Sequence, residues 1–274
     1  MFSQTVDMWL RRGLALAGLL VVAAGCMAAP LPPTPSGPAF PGWPSFSPGP
    51  GATPCLTVLL VGDSLMRAAA PYVPNYLEDN GRCATVVNAA VNGTGPGRDW
   101  PDQLPGLLTQ YHPQVVVAEF IGNTPEWPDA PWDSPLYNQR QQQGSLQMIQ
   151  KTKAAGAHLF WSIPPACCIV HNQSKAWADY RTWVINTDLG VPKADWDHFV
   201  TPNGVYTEYL TFPDGVKQVR PAVSDCAHLN DLGGQIAGAV TAASIQGEWP
   251  AGSGGAVSNS ELRAPAAVPS GPGP

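Results

Sequence analysis

Three short, largely apolar runs dominate the middle of the chain and restrict the folds it can adopt: Leu56–Val61, Val115–Ile121 and Ala157–Ile163. Runs of this length are typical of strands that helices cover on both faces of a sheet. Helix-like segments separate them, so that strand and helix alternate about five times. This alternation predicts an α/β fold: a three-layer α/β/α sandwich with a mainly parallel, five-stranded sheet and right-handed crossovers.

The remaining elements follow from the same patterns and from turn signals. Two further strands, five helices and a late hairpin are predicted. The strands are Ala84–Asn88 and Val191–Trp196; the helices are Leu65–Glu78, Gln103–Tyr111, Tyr137–Ala155, Lys175–Asp188 and Leu232–Ile245; the hairpin joins Tyr206–Phe212 to Val216–Val219 through Pro213-Asp214-Gly215.

The first residues have the pattern of an export signal. Two arginines precede the apolar run Gly13–Gly25, and small residues lead to Cys26. These small residues resemble a bacterial lipobox, in which the cysteine becomes lipidated, although Ala23 stands where leucine is usual. An uncleaved anchor and ordinary cleavage near Ala28 are the alternatives. In each case we expect the protein to be exported, to the cell envelope or beyond.

Composition separates the ends of the chain from its middle. Of the 274 residues, 31 are proline and 28 are glycine, and these are concentrated at both ends. Such segments bury too little apolar surface to offset the entropy lost on ordering. We therefore predict an export signal at 1–26, a Pro/Gly-rich tether at 27–54, a folded domain at 55–248 and a disordered tail at 249–274.

The cysteines beyond the signal are expected to form disulfides, as is usual in exported proteins. Cys55 and Cys83 each stand just before a predicted strand, so neighbouring parallel strands bring them together. Cys226 is expected to pair with either Cys167 or Cys168. A zinc site is the alternative, but the chain has no paired C-x-x-C spacing.

The charge balance and the lengths of the apolar windows limit the partners that the protein can have. The formal net charge is −6, which argues against a nucleic-acid-binding protein with a basic face. No apolar window reaches the length of a committed membrane span. Membrane contact is therefore expected only through the N-terminal lipid or signal anchor, and the sequence implies no metal or organic cofactor.

Polar and glycine residues follow the predicted strands, where parallel sheets collect their functional loops. Gly62-Asp63-Ser64-Leu65 follows the first strand, the loop after the second contains Gly93, and Asn123 follows the third. Asp225 and His228 stand just before the last predicted helix. Taken alone, Ser64 has a simpler explanation as the cap of the helix that follows it.

In these four blocks, found in this order over Leu56–Ile245, the chain resembles the SGNH (GDSL-type) hydrolase family. The resemblance implies a flavodoxin-like sandwich and a serine hydrolase acting on carboxylic esters. The third block departs from the family pattern, because Ile121 and Thr124 replace its usual first glycine and its aspartate. The implied roles are Ser64 as nucleophile, Asp225 and His228 as its acid–base partners, and Ser64, Gly93 and Asn123 as oxyanion-hole donors.

Elementary chemistry supports these roles. A serine hydroxyl is a weak nucleophile at neutral pH and needs an adjacent base, which imidazole provides. An acid three residues before His228 can hold one ring nitrogen while the other faces Ser64. Asp195 and His198 have the same D-x-x-H spacing and are the rival pair, although they follow a predicted strand rather than precede the last helix.

The substrate is expected to be an O-acyl ester, either a small molecule or an acylated cell-envelope glycan or glycolipid. An O-acyltransferase on the same triad and a non-catalytic, lectin-like envelope-binding protein are the alternatives. Trp100, Trp127 and Trp132 lie near the predicted loops, where they either contact the substrate or pack in the interior.

Overall fold

The computed structural model describes residues 55–221, 225, 227–248 and 266–267, all within the unit Phe40–Pro274. The predicted export signal, the tether and most of the tail lie outside the described residues. Regular structure runs from Leu56 to Glu248, with one further short strand in the tail.

Five parallel strands form the central sheet, in the order β2-β1-β3-β4-β5. This is the strand order of flavodoxin-like folds, so the predicted fold class is confirmed. Leu60 of the first strand pairs with Asn88 on one side and Val117 on the other. The strands are β1 (Leu56–Gly62), β2 (Ala84–Asn88), β3 (Val115–Glu119), β4 (His158–Ile163) and β5 (Lys193–Asp195).

Helices cover both faces of this sheet and create two apolar cores. Val58 and Leu60 point to the core shared with α1, α2, α6 and α7, whereas Leu59 and Val61 point to the core shared with α3, α4 and α5. This alternation is the period of two expected for a strand. The helices are α1 (Ser64–Ala69), α2 (Val73–Asp79), α3 (Trp100–Tyr111), α4 (Pro135–Ala154), α5 (Asn172–Asn186), α6 (Trp196–Val200) and α7 (Asp231–Glu248).

The single helix predicted over Leu65–Glu78 is instead two helices. Pro71 lies between them, and it has no N–H with which to continue the helical hydrogen bonds. Pro74 falls in the first turn of α2, where the missing donor costs nothing. The first of these helices is therefore short and directly follows β1.

The predicted hairpin is present, with a tighter turn than expected. Its strands are β6 (Tyr209–Phe212) and β7 (Gly215–Gln218), which run antiparallel. Phe212 pairs with Gly215, so the turn proper is Pro213-Asp214. A two-residue strand, β8 (Ala266–Ala267), pairs with β6 and lies within the predicted tail.

The disulfide predicted between Cys55 and Cys83 is formed and joins the amino ends of β1 and β2, with 4.6 Å between the two Cα atoms. Cys168 is also disulfide-bonded, whereas Cys167 is a free thiol. The predicted partner, Cys226, lies outside the described residues. Among the helices of the described segments, none combines the length and the apolar character that crossing a bilayer requires.

Candidate active site

The loop after β1 places Ser64 at the first position of α1. The N-cap of this helix is Asp63, whose Oδ1 accepts a 2.9 Å hydrogen bond from the backbone N–H of Leu65. Asp63 rather than Ser64 thus caps the helix, so the serine hydroxyl is not used for capping. Asp63 Oδ2 also accepts a 2.9 Å bond from the Ile121 N–H, which ties this loop to the loop after β3.

The loop after β2 contains Gly93, which has a φ of +70°. This left-handed conformation favours glycine. The next residue, Thr94, donates its hydroxyl to the carbonyl of Val91 at 2.7 Å, and the N–H of Val91 bonds the carbonyl of Gly62 at 2.9 Å. These contacts tie the Gly93 loop to Gly62, the residue before the loop of Asp63 and Ser64, the predicted nucleophile loop.

The Gly93 loop also contacts the loop after β3. A Cβ atom placed on Gly95 would lie 3.4 Å from the backbone nitrogen of Asn123. The two loops that hold the predicted oxyanion donors are therefore neighbours, as the sequence pattern predicts for successive strands of a parallel sheet.

One buried side chain joins these two donor loops. Gln141 of α4 is fully buried and accepts a 2.9 Å bond from the N–H of Gly97. Its Nε2 donates to the carbonyl of Gly122 at 3.2 Å and to the Thr124 hydroxyl at 3.0 Å. Tyr137, also of α4, bonds the same two residues. Thr124, which stands where the SGNH pattern usually has aspartate, is thus held by side chains of α4.

The side chain of Asn123 has a partner that fixes its orientation. Gln173 in the first turn of α5 donates from Nε2 to Asn123 Oδ1 at 3.1 Å. With the carbonyl oxygen of the amide engaged by Gln173, the Asn123 amide nitrogen still has two N–H donors to offer to another acceptor. Sequence reasoning did not identify Gln141 or Gln173, because no local pattern distinguishes them from other helical glutamines.

The turn before α7 brings Asp225 and His228 together. Asp225 Oδ1 accepts from His228 Nδ1 at 2.7 Å and from the His228 backbone N–H at 2.9 Å. Partial burial raises the pKa of Asp225, but the bonds from His228 outweigh this effect and lower it below its ordinary value. Because Nδ1 is engaged by a carboxylate, Nε2 is the nitrogen available to a substrate or a nucleophile.

A buried arginine supports this turn. Arg220 follows the hairpin, is fully buried and donates to the carbonyl oxygens of Ala227 and Ala166, and at 3.3 Å to that of His228. Its guanidinium also lies 4.7 Å from the ring centroid of Tyr206. The turn that contains Asp225 and His228 is therefore fixed to the loop after β4.

Ala227 and Leu229, on either side of His228, pack in the same core as Leu65 and Met66, so His228 lies on the side of the sheet that α1 covers. Burial is the largest influence on the pKa of Asp63, which lies at about 6, and the electrostatic effect of His228 opposes it. Helices α1 and α7 pack closely, since a Cβ on Gly234 would lie 2.6 Å from the carbonyl oxygen of Ala68. The first and last of the four blocks are thus neighbours.

The rival pair has a different arrangement. Asp195 caps α6, and its Oδ1 accepts a 3.0 Å bond from the backbone N–H of His198. The His198 ring packs edge-on against Phe199, with ring centroids 5.0 Å apart. This D-x-x-H string is therefore explained by helix capping.

The three tryptophans support the loops. Trp100 is buried and donates to the Thr94 hydroxyl at 2.9 Å, and Trp132 donates to the carbonyl of Thr124 at 3.1 Å. Trp127 packs edge-on against Tyr137. Within the part of the chain that the structure describes, no group of three His, Cys, Asp or Glu side chains is arranged to hold a metal ion.

Solved structures with a similar fold include esterases and an acyltransferase domain. A catalytic variant of Axe2, an acetylxylan esterase from Geobacillus stearothermophilus, is 13% identical, with a TM-score of 0.51 over 71% of this chain and 94% of that one. The esterase EstA from Pseudoalteromonas sp. is 17% identical (TM-score 0.47; 70% and 97% covered). The periplasmic domain of a lipopolysaccharide acetyltransferase from Salmonella ser. Paratyphi A is 13% identical (TM-score 0.46; 70% and 82% covered).

At these identities the comparison shows the fold alone, which is that of the SGNH-type hydrolases. No curated protein matches the sequence. The family described as "Protein of unknown function (DUF459)" matches residues 57–243. Because this match covers more than half of the 274 residues, the chain belongs to the DUF459 family, and within it has an SGNH-type hydrolase fold.

Proposed function

We propose that this protein is an exported serine esterase that hydrolyses O-acyl esters through Ser64, His228 and Asp225. The observation that carries the proposal is the pair of hydrogen bonds from His228 to Asp225, one of which engages Nδ1, so that Nε2 is the ring nitrogen left to act as the base. The neighbouring nucleophile loop presents a serine whose hydroxyl is not needed as a helix cap.

The reaction has two balanced steps. Ser64 Oγ attacks the carbonyl carbon of the ester while His228 Nε2 takes the hydroxyl proton, and the alcohol then leaves with that proton. Water attacks the resulting acyl-serine, again losing a proton to His228, and the acid is released as Ser64 regains its proton. Asp225 stabilises the imidazolium formed in each step.

Negative charge grows on the carbonyl oxygen in both steps. We assign its stabilisation to the backbone amides of Ser64 and Gly93 and to the side-chain amide of Asn123. The contact between the loops of Gly93 and Asn123 supports this assignment, and the bond from Gln173 leaves the Asn123 N–H end free. Each donor of this kind is typically worth about 10²–10³ in rate.

Hydrolysis is favoured over transfer by the exposure of the site. The side chain of His228 is 48% exposed and that of Asp225 is 31% exposed, so water has access to an acyl group held near them. A transferase needs to exclude water from the same intermediate.

We propose that the natural ester is an acylated envelope glycan or glycolipid. The disulfides and the export pattern of the sequence support a location in the envelope. The acetylxylan esterase with this fold acts on an acylated glycan.

Labelling by a fluorophosphonate probe tests the proposal. We expect the wild-type protein to be labelled stoichiometrically and Ser64→Ala not to be labelled, while both have the same circular dichroism spectrum. His228→Ala should lose labelling and hydrolysis of a p-nitrophenyl acyl ester, whereas His198→Ala should keep both. A wild-type protein that neither reacts with the probe nor hydrolyses esters would favour a binding module.

A further inference from the structure

Two carboxyl groups are fully buried next to Ser64, one in its own loop and one at the end of the neighbouring strand β3. Asp63 and Glu119 are both 0% exposed. Glu119 is the last residue of β3 and pairs in register with Gly62 at the end of β1, so that Asp63 lies beside it. The esterase mechanism proposed above uses neither carboxyl as a reacting group, and burying two negative charges together is costly without a compensating partner.

The hydrogen bonds around these carboxyls are unequal. Asp63 accepts two backbone bonds, from Leu65 and Ile121. Glu119 accepts one, from the N–H of Met66 at 3.0 Å, and among the described residues no donor reaches its buried Oε1. Two carboxylates buried side by side can only accept hydrogen bonds, so a hydrogen bond between them, and relief of their repulsion, requires a proton on one of them.

The surroundings place that proton on Glu119. Two backbone N–H groups favour the charged form of Asp63, whereas only one favours that of Glu119. Burial raises the pKa of Glu119 well above its ordinary range, and the neighbouring Asp63 raises it further. Burial also raises the pKa of Asp63, to about 6, but its hydrogen bonds oppose this effect.

We infer that Glu119 holds a proton which it donates to Asp63, and that this singly ionised pair positions the loop of Ser64. Glu119 acts through two contacts: the Met66 N–H in the first turn of α1, and Asp63, which caps the same helix. Its role in positioning the nucleophile rests on the proposed function; the shared proton does not.

Among the described residues, the other titratable groups that interact electrostatically with the pair are His228 and Tyr180. His228 lowers the pKa of Asp63, so the negative charge of the pair is near the imidazole. Tyr180 of α5 is buried, bonds the Ser145 hydroxyl at 2.8 Å and has a pKa raised by burial, so it stays neutral. The single negative charge is therefore balanced by His228 when the imidazole is protonated, as it is during catalysis.

The dependence of stability on pH tests the shared proton directly. If Glu119 is protonated in the fold and ionised in the unfolded chain, wild type loses stability relative to Glu119→Gln as pH rises above the ordinary glutamate value of 4.5. We expect the ratio of the two unfolding equilibrium constants to change about tenfold per pH unit between about pH 5 and the raised pKa. Glu78→Gln, at an exposed glutamate, should show no such slope. A flat difference between wild type and Glu119→Gln would overturn the inference.

Infrared spectroscopy gives an independent measurement. At pH 7 ordinary Asp and Glu side chains are ionised. We therefore expect the carbonyl stretch of a protonated carboxyl group in wild type and in Glu78→Gln, and its absence from Glu119→Gln. An identical spectrum in all three proteins would contradict a proton on Glu119.

Activity separates the positioning role from a purely structural one. Glutamine can accept from Met66 and donate to Asp63, so Glu119→Gln should keep kcat within about threefold, whereas Glu119→Leu should lose roughly 10–10² in kcat with little change in KM. Equal kcat in folded Gln and Leu variants would refute the positioning role. If wild type hydrolyses no ester, the proposed function fails, while the pH slope and infrared band still report on the proton.

Discussion

Replacing Asp225 by asparagine removes one charge from the candidate site with almost no change in shape. Asparagine Oδ1 can still accept from the His228 backbone N–H, so the turn should survive. In the proposed mechanism, what is lost is the attraction between the Asp225 carboxylate and the imidazolium that forms when Ser64 gives up its proton. The wild-type contact is short, 2.7 Å from Oδ1 to Nδ1.

The size of this loss follows from the exposure of the pair. Two unit charges about 4 Å apart attract by ~1 kcal/mol in water and by ~4 kcal/mol at the dielectric typical of a protein surface. With the side chains 48% and 31% exposed, the pair lies between these limits, at about 2–3 kcal/mol. At ~1.4 kcal/mol per factor of ten, Asp225→Asn should lower kcat roughly 30–150-fold.

The assay is steady-state hydrolysis of p-nitrophenyl acetate near neutral pH. Asp195→Asn is the matched control, because Asp195 also accepts from a backbone N–H three residues later, but in the capped helix of the rival pair. We expect Asp195→Asn to keep wild-type kcat. Because dissolved ions screen the attraction between exposed charges, the ratio of wild-type kcat to Asp225→Asn kcat should fall as salt is added. An Asp225→Asn protein with full activity, or an equal loss in Asp195→Asn, would refute the reasoning.

Three further predictions concern the oxyanion hole, the packing beneath the nucleophile loop and the disulfide. Asn123→Ala should lower kcat about 10²–10³-fold with little change in KM, measured on the same ester; an unchanged kcat would remove it from the hole. Gly62→Ala should destabilise the fold and abolish activity, since its Cβ would lie 2.3 Å from a backbone oxygen of β3, whereas Gly106→Ala meets nothing within 4 Å and should be neutral or stabilising in thermal unfolding. Replacing Cys55 and Cys83 by serine opens a link across 28 residues and should cost about 3–4 kcal/mol in urea unfolding, while activity at low temperature is retained; an unchanged midpoint would contradict this.

The fold was predictable from the sequence because its strands are encoded locally. Runs such as Leu56–Val61 are apolar on both sides, and only a sheet covered by two helical layers accommodates several of them. The break between α1 and α2 was not predicted, although Pro71 marks it, because prolines are also tolerated in a helical first turn. The position of Gly215 was likewise misjudged by one residue, since turn residues signal a hairpin better than its register.

The candidate site was predictable where chemistry is carried by neighbouring residues. Asp225 and His228 are three residues apart, and the structure joins them by the hydrogen bond that this spacing predicts. The buried side chains that hold the loops of the site from distant parts of the chain were not predictable. Gln141 and Arg220 act through contacts with loops far away in sequence. Of these supporting residues, Glu119 alone could have been singled out from the sequence, because it is the one charged residue of an otherwise apolar strand.

The disulfide at the amino ends of β1 and β2 has a mechanical consequence. The loops of the candidate site follow the carboxyl ends of the same strands, about 20 Å away along the seven residues of β1. A pulling force on the chain before Cys55 reaches the sheet at the amino ends of β1 and β2, which are the ends farthest from those loops. The covalent link divides that force between two strands, and the length of both strands separates the link from the loops of the candidate site.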